Sequence, residues 1–147
     1  MGIDLEKGLC EKIDEAFGID SKFDVRACSP LTLAYIGDAV FEIIIRSSLV
    51  LKEDKTVQKF HKQCAAMVNA SAQKELINKI EPLLTEEEHS VFKRGRNAKS
   101  YTMPKNAVPG DYRIATGFEA LCGYLYLTNR MDRLLFLVAE GLKNEEL

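Results

Sequence analysis

The chain has 147 residues, 46% of them apolar, and its 20 Lys plus Arg stand against 22 Asp plus Glu, a formal net charge of −2. That length allows one domain with one core, and the apolar content excludes an intrinsically disordered chain, which would combine low hydrophobicity with high net charge. Taken as an average the slight acidity argues against a nucleic-acid partner, yet residues 1–24 alone carry about −4, and five bases with no acid lie between His89 and Asp111.

Leu5, Leu9, Ile13 and Phe17 recur every four residues before Gly18, which predicts an amphipathic helix over 3–17 stopped by a residue that tolerates left-handed geometry. A polar connector follows. Ser29-Pro30 supplies an N-cap and a first-turn proline, so a second helix is expected over 30–50. A third opens near Thr56 with Val57, Phe60, Cys64 and Met67 on one face, and a break is expected at Asn69-Ala70-Ser71. A short helix with Leu76, Ile77 and Ile80 ends before Pro82. Thr85 and Glu88 match a capping box for a helix over 86–94. Residues 95–110 lack helical period and contain two prolines, so they read as a loop, and loops that long in compact domains tend to be functional. Asp111 is placed as the cap of a helix to Thr128, and 131–142 form the last one. Nothing alternates with period two; the fold class is all-α.

Cys10, Cys28, Cys64 and Cys122 form no C-x-x-C pair and have no histidine at zinc-ligand spacing, which reads as free thiols in a reducing compartment. The acidic N-terminus does not resemble a signal peptide, and no apolar run approaches the length of a membrane span. A soluble, cytoplasmic protein without a membrane partner is expected.

The most informative segment is LAYIGDAVFEIIIR, residues 33–46, which is apolar around the whole helix and so reads as central. Asp38 and Glu42 are its only carboxylates. Glu119 is likewise the only charge in TGFEALCGYLYL, residues 116–127. An ionised carboxylate is costly to bury without compensation. Two such helices facing each other would bring Asp38 and Glu119 to one hard cation, for which oxygen ligands suit magnesium or manganese. Gly37 and Gly123 would permit close approach. The bland alternative pairs Asp38 with a base such as Arg113, and Glu119 with Arg46 or Lys62. Glu42, His61 and His89 read as structural, Tyr35 and Tyr126 as core, and Glu86-Glu87-Glu88 as a helix start where acids favour the dipole.

KRGRNAKSYTMPKN, residues 93–106, interleaves bases with Gly, Asn, Ser, Thr and Tyr, the mix that meets phosphates and ribose hydroxyls. Joined to an acidic metal site, it points to phosphodiester hydrolysis.

These residues resemble the ribonuclease III family. LAYIGDAVFEIIIR is similar to its signature helix with a Gly-Asp-Ala/Ser step, and TGFEALCGYLYL to its second acidic helix. The basic loop and FHKQCAAMVNASAQ, residues 60–73, are closer to the Mini-ribonuclease III branch, which consists of the catalytic domain alone. The resemblance covers roughly residues 25–142. It implies that Asp38 and Glu119 are catalytic and metal-binding. Positions where longer family members carry further acids are here Leu31, Ala34 and Thr116, so water must complete the metal shell. It further implies a homodimer whose two sites line one groove, a double-stranded RNA substrate (precursor large-subunit, 23S, ribosomal RNA), and products with 5′-phosphate and 3′-hydroxyl ends.

The expectation is therefore an all-α, homodimeric, magnesium-dependent endoribonuclease, with manganese as the alternative cation. Arg94, Arg96, Asn97, Lys99, Lys105 and Asn106 are the expected RNA contacts. Residues 1–24 are read as an acidic N-terminal helix and connector, and 25–147 as the catalytic domain, with no double-stranded-RNA-binding domain after it. The competing reading is a catalytically idle RNA-binding or ribosome-assembly module. A nucleotide pyrophosphohydrolase would need clustered E-x-x-E acids, and the embedded acids are too sparse for that.

Overall fold

The structure is a computed structural model that describes residues 7–99, 103, 105 and 107–143. All regular structure among these residues is helical: α1 (Leu9–Phe17), α2 (Pro30–Lys52), α3 (Val57–Val68), α4 (Ala70–Ile80), α5 (Glu86–Asn97), α6 (Pro109–Leu127) and α7 (Met131–Gly141). Short 3-10 turns span Val25–Ala27 and Glu81–Leu83.

Local chemistry sets the boundaries. The Ser29 hydroxyl accepts from Leu31 N and Pro30 occupies the first turn of α2. Thr56 accepts from Lys59 N at the start of α3. Asn69 leaves the helical region at ψ 165°, which ends α3, and its side chain accepts from Ala72 N at 2.8 Å, which starts α4. Thr85 and Glu88 form the reciprocal capping box of α5. Gly18, at φ +59°, closes α1 in the left-handed conformation.

α6 is the hub, packed against α2, α5, α4 and α7. Phe41 of α2 and Phe118 of α6 meet edge to face with ring centroids 5.0 Å apart, and both are fully buried. Each such side chain contributes about 1.5–3 kcal/mol of burial. Ile77 and Ile80 of α4 and Leu134 and Leu137 of α7 complete the core. None of the four cysteines is disulfide-bonded, and Cys28, Cys64 and Cys122 are buried. Among the described residues no helix is long and apolar enough to cross a membrane.

Four expectations require correction. α5 continues through Gly95 to Asn97, because Gly95 is a contact glycine: a Cβ there would lie 2.7 Å from the Ala120 methyl of α6. Asp111 is not the cap of α6; the helix starts two residues earlier at Pro109, and Asp111, in its first turn, pairs with Lys74 at 3.1 Å. α2 is not covered on all sides: Leu33, Val40, Phe41, Ile45 and Leu49 are buried, whereas Tyr35 is 80% exposed and Ile43, Val50 and Leu51 also face outward. Tyr35 is thus not a core residue. Finally, α1 buries none of its residues, so the stripe of Leu9, Ile13 and Phe17 stays exposed among the described residues. Residues 3–6 of the expected first helix lie outside the described residues.

Candidate active site

The site is built where α2 crosses α6. A Cβ on Gly37 would collide with the backbone carbonyl oxygen of Glu119, and one on Gly123 with the carbonyl of Leu33. The two backbones therefore touch at both glycines. Asp38 is the residue after Gly37, and its carboxyl faces that of Glu119 closely enough to share a hydrogen bond. Burial first, then that hydrogen bond and the Asp38 charge, push Glu119 up to about 8, against an opposing hydrogen bond from Gln73. Asp38 is exposed and Glu119 half-buried, which corrects the picture of two fully buried acids: the exposed edge of α2 leaves the pair open to solvent and ligand on one side.

Among the described residues no arginine or lysine neutralises either acid. Arg46 pairs instead with Glu42 at 3.0 Å on the adjoining turn of α2. Arg113 lies in a separate cleft. Gln73 of α4 donates from Nε2 to Glu119 Oε2 at 3.3 Å. Thr116, one turn before Glu119, is buried and donates its hydroxyl to the Tyr112 carbonyl at 2.9 Å.

Two facing carboxyls with no basic partner among the described residues, one of them holding its proton up to about 8, fit a hard divalent cation, which would displace that proton and attract both groups. No cluster of three or more His, Cys, Asp or Glu suited to a metal occurs among the described residues. Asp38 and Glu119 would therefore be the acidic ligands, with water supplying the remaining positions.

The basic candidates gather at the end of α5. Arg94 reaches the Cys28 carbonyl at 3.4 Å, and Arg96 lies over the Phe92 ring at 5.6 Å with Nε toward Asn97 Oδ1 at 3.3 Å. An open cleft of about 660 Å³ is lined by Pro30, His89, Ser90, Lys93, Arg94 and Asn97, among others. A second, of about 430 Å³, is lined by Asn97, Lys99, Met103, Tyr112, Arg113 and Thr116. Lys105 is exposed, and Asn106 lies outside the described residues. Sequence reasoning missed Arg113 as a lining residue of the basic face, although its spacing of one turn before Gly117 was readable. It also passed over Gln73 as a site residue, although Gln73 closes the segment 60–73 that resembles the Mini-ribonuclease III branch. His89 is held by Glu81 at 2.9 Å, and His61 lines a small apolar recess beside Cys64.

The Ribonuclease III domain model matches residues 31–130, so both acids and the end of α5 fall within the matched region. Mini-ribonuclease 3 of Clostridium tetani is 53% identical over 78% of this chain and 76% of its own. The chain belongs to the Mini-ribonuclease 3 branch of the ribonuclease III family. The Mini-ribonuclease 3 of Thermoanaerobacter sp. (strain X514) is 47% identical, over 78% of this chain and 80% of that relative. The crystal structure of protein FN1578 from Fusobacterium nucleatum superposes with a TM-score of 0.73 at 32% identity, covering 84% of this chain and 98% of that one. A ribonuclease on an all-helical ribonuclease III scaffold follows, with α2 and α6 as the two helices that carry its embedded acids.

Proposed function

We propose that this family member is a magnesium-dependent endoribonuclease that cleaves double-stranded RNA, with manganese able to take the place of magnesium. The observation that carries the reading is the meeting of Asp38 and Glu119 at a glycine-lined helix crossing, without a basic partner. Acids held together at such cost serve a ligand better than they serve the fold.

When bound, a divalent cation supplies an activated water and neutralises charge developing on a phosphate. Asp38 and Glu119 hold it. Arg94, Arg96, Asn97, Lys99, Lys105 and Asn106 bind and orient the duplex through phosphates and 2′-hydroxyls, helped by Arg113 on the second cleft. Hydrolysis leaves 5′-phosphate and 3′-hydroxyl ends, and precursor 23S ribosomal RNA in the cytoplasm is the substrate that the family resemblance implies.

Residues 25–147 act as the catalytic unit, with 1–24 as an acidic appendage; α1, which buries nothing, agrees with that division. The unit works as a homodimer. Its support is the outward apolar face of α2, where Ile43, Ile44 and Leu51 join Met131 and Leu135 of α7 around a shallow apolar recess, a surface suited to burial against its own copy.

The deciding experiment incubates the protein with structured RNA and magnesium beside Asp38→Asn. Cleavage by the unmodified protein alone is expected. No cleavage with retained RNA binding would favour the idle module, and equal cleavage by both would sink the site.

A further inference from the structure

Gln73 lies in the first turns of α4, is only 2% exposed, and reaches Glu119 of the acidic pair. Its Nε2 donates twice, to the Val68 carbonyl at 2.7 Å and to Glu119 Oε2 at 3.3 Å, so both amide hydrogens are committed. Those two acceptors also fix which way the amide points, since the reverse orientation would set its oxygen against two other oxygens. The consequence is that Gln73 Oε1 is buried with no hydrogen-bond partner, alone in this among the side chains of the described residues. An orphaned buried acceptor is costly, and a leucine would fill the same space without that cost.

The amide has a use that leucine lacks. A lysine or arginine here would form an ion pair with Glu119, whereas a neutral donor orients its carboxyl without claiming the charge that a cation would meet. Val68 ends α3, and Asn69 fixes the start of α4, so Gln73 is anchored to a rigid corner on one side and to Glu119 on the other. We propose that Gln73 is a positioning residue of the site: Nε2 orients the Glu119 carboxylate, and Oε1 accepts a hydrogen bond from a water of the cation's shell. Outer partners of this kind orient ligands and tune metal affinity. The proposal rests on Asp38 and Glu119 as cation ligands.

The test compares wild type, Gln73→Leu, Gln73→Glu and Glu119→Gln by thermal unfolding under magnesium titration without RNA, and by kcat and KM on a short RNA duplex. Wild type is expected to be stabilised by magnesium. Gln73→Leu should fold, need roughly tenfold more magnesium for the same stabilisation, and lose kcat with little change in KM. Gln73→Glu, which keeps an acceptor and adds charge, should show a larger magnesium-induced rise than wild type, and it decides the matter if the leucine variant does not fold. Unchanged magnesium dependence and kcat in Gln73→Leu, or no larger rise in Gln73→Glu, would overturn the role of Gln73 alone. A wild type indifferent to magnesium, or a response surviving in Glu119→Gln, would overturn the cation site beneath it.

Discussion

Gly37 on α2 lies directly against the backbone carbonyl of Glu119 on α6, with no space for a methyl group between them. The contact sets the separation of the two acids, because Asp38 follows Gly37 and Glu119 carries the carbonyl itself. Gly37→Ala should cost about 3 kcal/mol, the upper end for overpacking, since backbone rather than a side-chain tip must move. It should also remove magnesium-induced stabilisation in whatever fraction still folds. Gly110, where an added methyl group would meet nothing within 4 Å, is the control. Gly110→Ala should be neutral or stabilise by about 0.5 kcal/mol. Urea unfolding of the three proteins checks both values.

In the absence of a cation Asp38 and Glu119 repel each other only once Glu119 has lost its proton, which it holds up to about 8. Glu119→Gln should therefore make the metal-free protein more stable at mildly alkaline pH, while lowering kcat by at least about a hundredfold. Stability and activity changing in opposite directions would mark the pair as functional; a loss of both would return it to a structural role. Unfolding curves in chelator, set beside cleavage rates in magnesium, provide the measurement.

Glu88 is 2% exposed and accepts from Arg133 Nε and Nη2, both at 2.8 Å, while capping Thr85 N at 2.9 Å. The Arg133 hydrogen bonds hold its carboxyl below the ordinary 4.5. A depressed carboxyl stabilises the fold above its unfolded-state value and loses that contribution as pH falls through the lowered folded value. Glu88→Gln should cost about 2 kcal/mol near neutral pH, as expected for hydrogen bonds to a charged group. It should also flatten the acid limb of the stability curve. Urea midpoints near neutrality and at about pH 3 test this, and parallel curves for the two proteins would exclude it.

Arg94 lines the first cleft, and Arg96 lies over Phe92 on the same last turns of α5. Replacing both with Ala should weaken duplex RNA binding and reduce the log–log salt slope by up to about 2, one counterion for each lost phosphate contact. Arg113→Ala should reduce it further, by about 1. Fluorescence anisotropy over a salt series measures the slope. An unchanged slope would leave these bases as a solvated face.

Most helix boundaries were legible because they are local chemistry. Ser29-Pro30, Asn69 and the Thr85–Glu88 box announce themselves within four residues. Gly95 misled because a glycine that stops a helix and one that lets two helices touch look alike until the second helix is in place. Pro109 was overlooked as a start because Val108 offers no capping side chain. Asp38 and Glu119 stood out as lone charges in apolar helices, and the structure puts them together, but Tyr35 shows the limit of patterning. An apolar helix face reads identically whether covered by its own chain or left outward. Gln73 sat inside the family-like segment 60–73, but nothing there pointed to an acid 46 residues further along the chain, so its contact with Glu119 became visible only in the folded structure.

α5 is a polarised strut. At one end, Glu87 meets Tyr124 and Arg130 and Glu88 meets Arg133, so two of the acids that make the chain formally negative are matched inside it. At the other end Arg94 is exposed and Arg96 partly so, and neither meets an acid among the described residues. Ionic strength acts unequally on the two, screening the open end strongly and the Glu88 pocket hardly at all. The protein should therefore release a bound polyanion in concentrated salt while the helix that presents it stays anchored, which allows repeated loading and stripping without refolding.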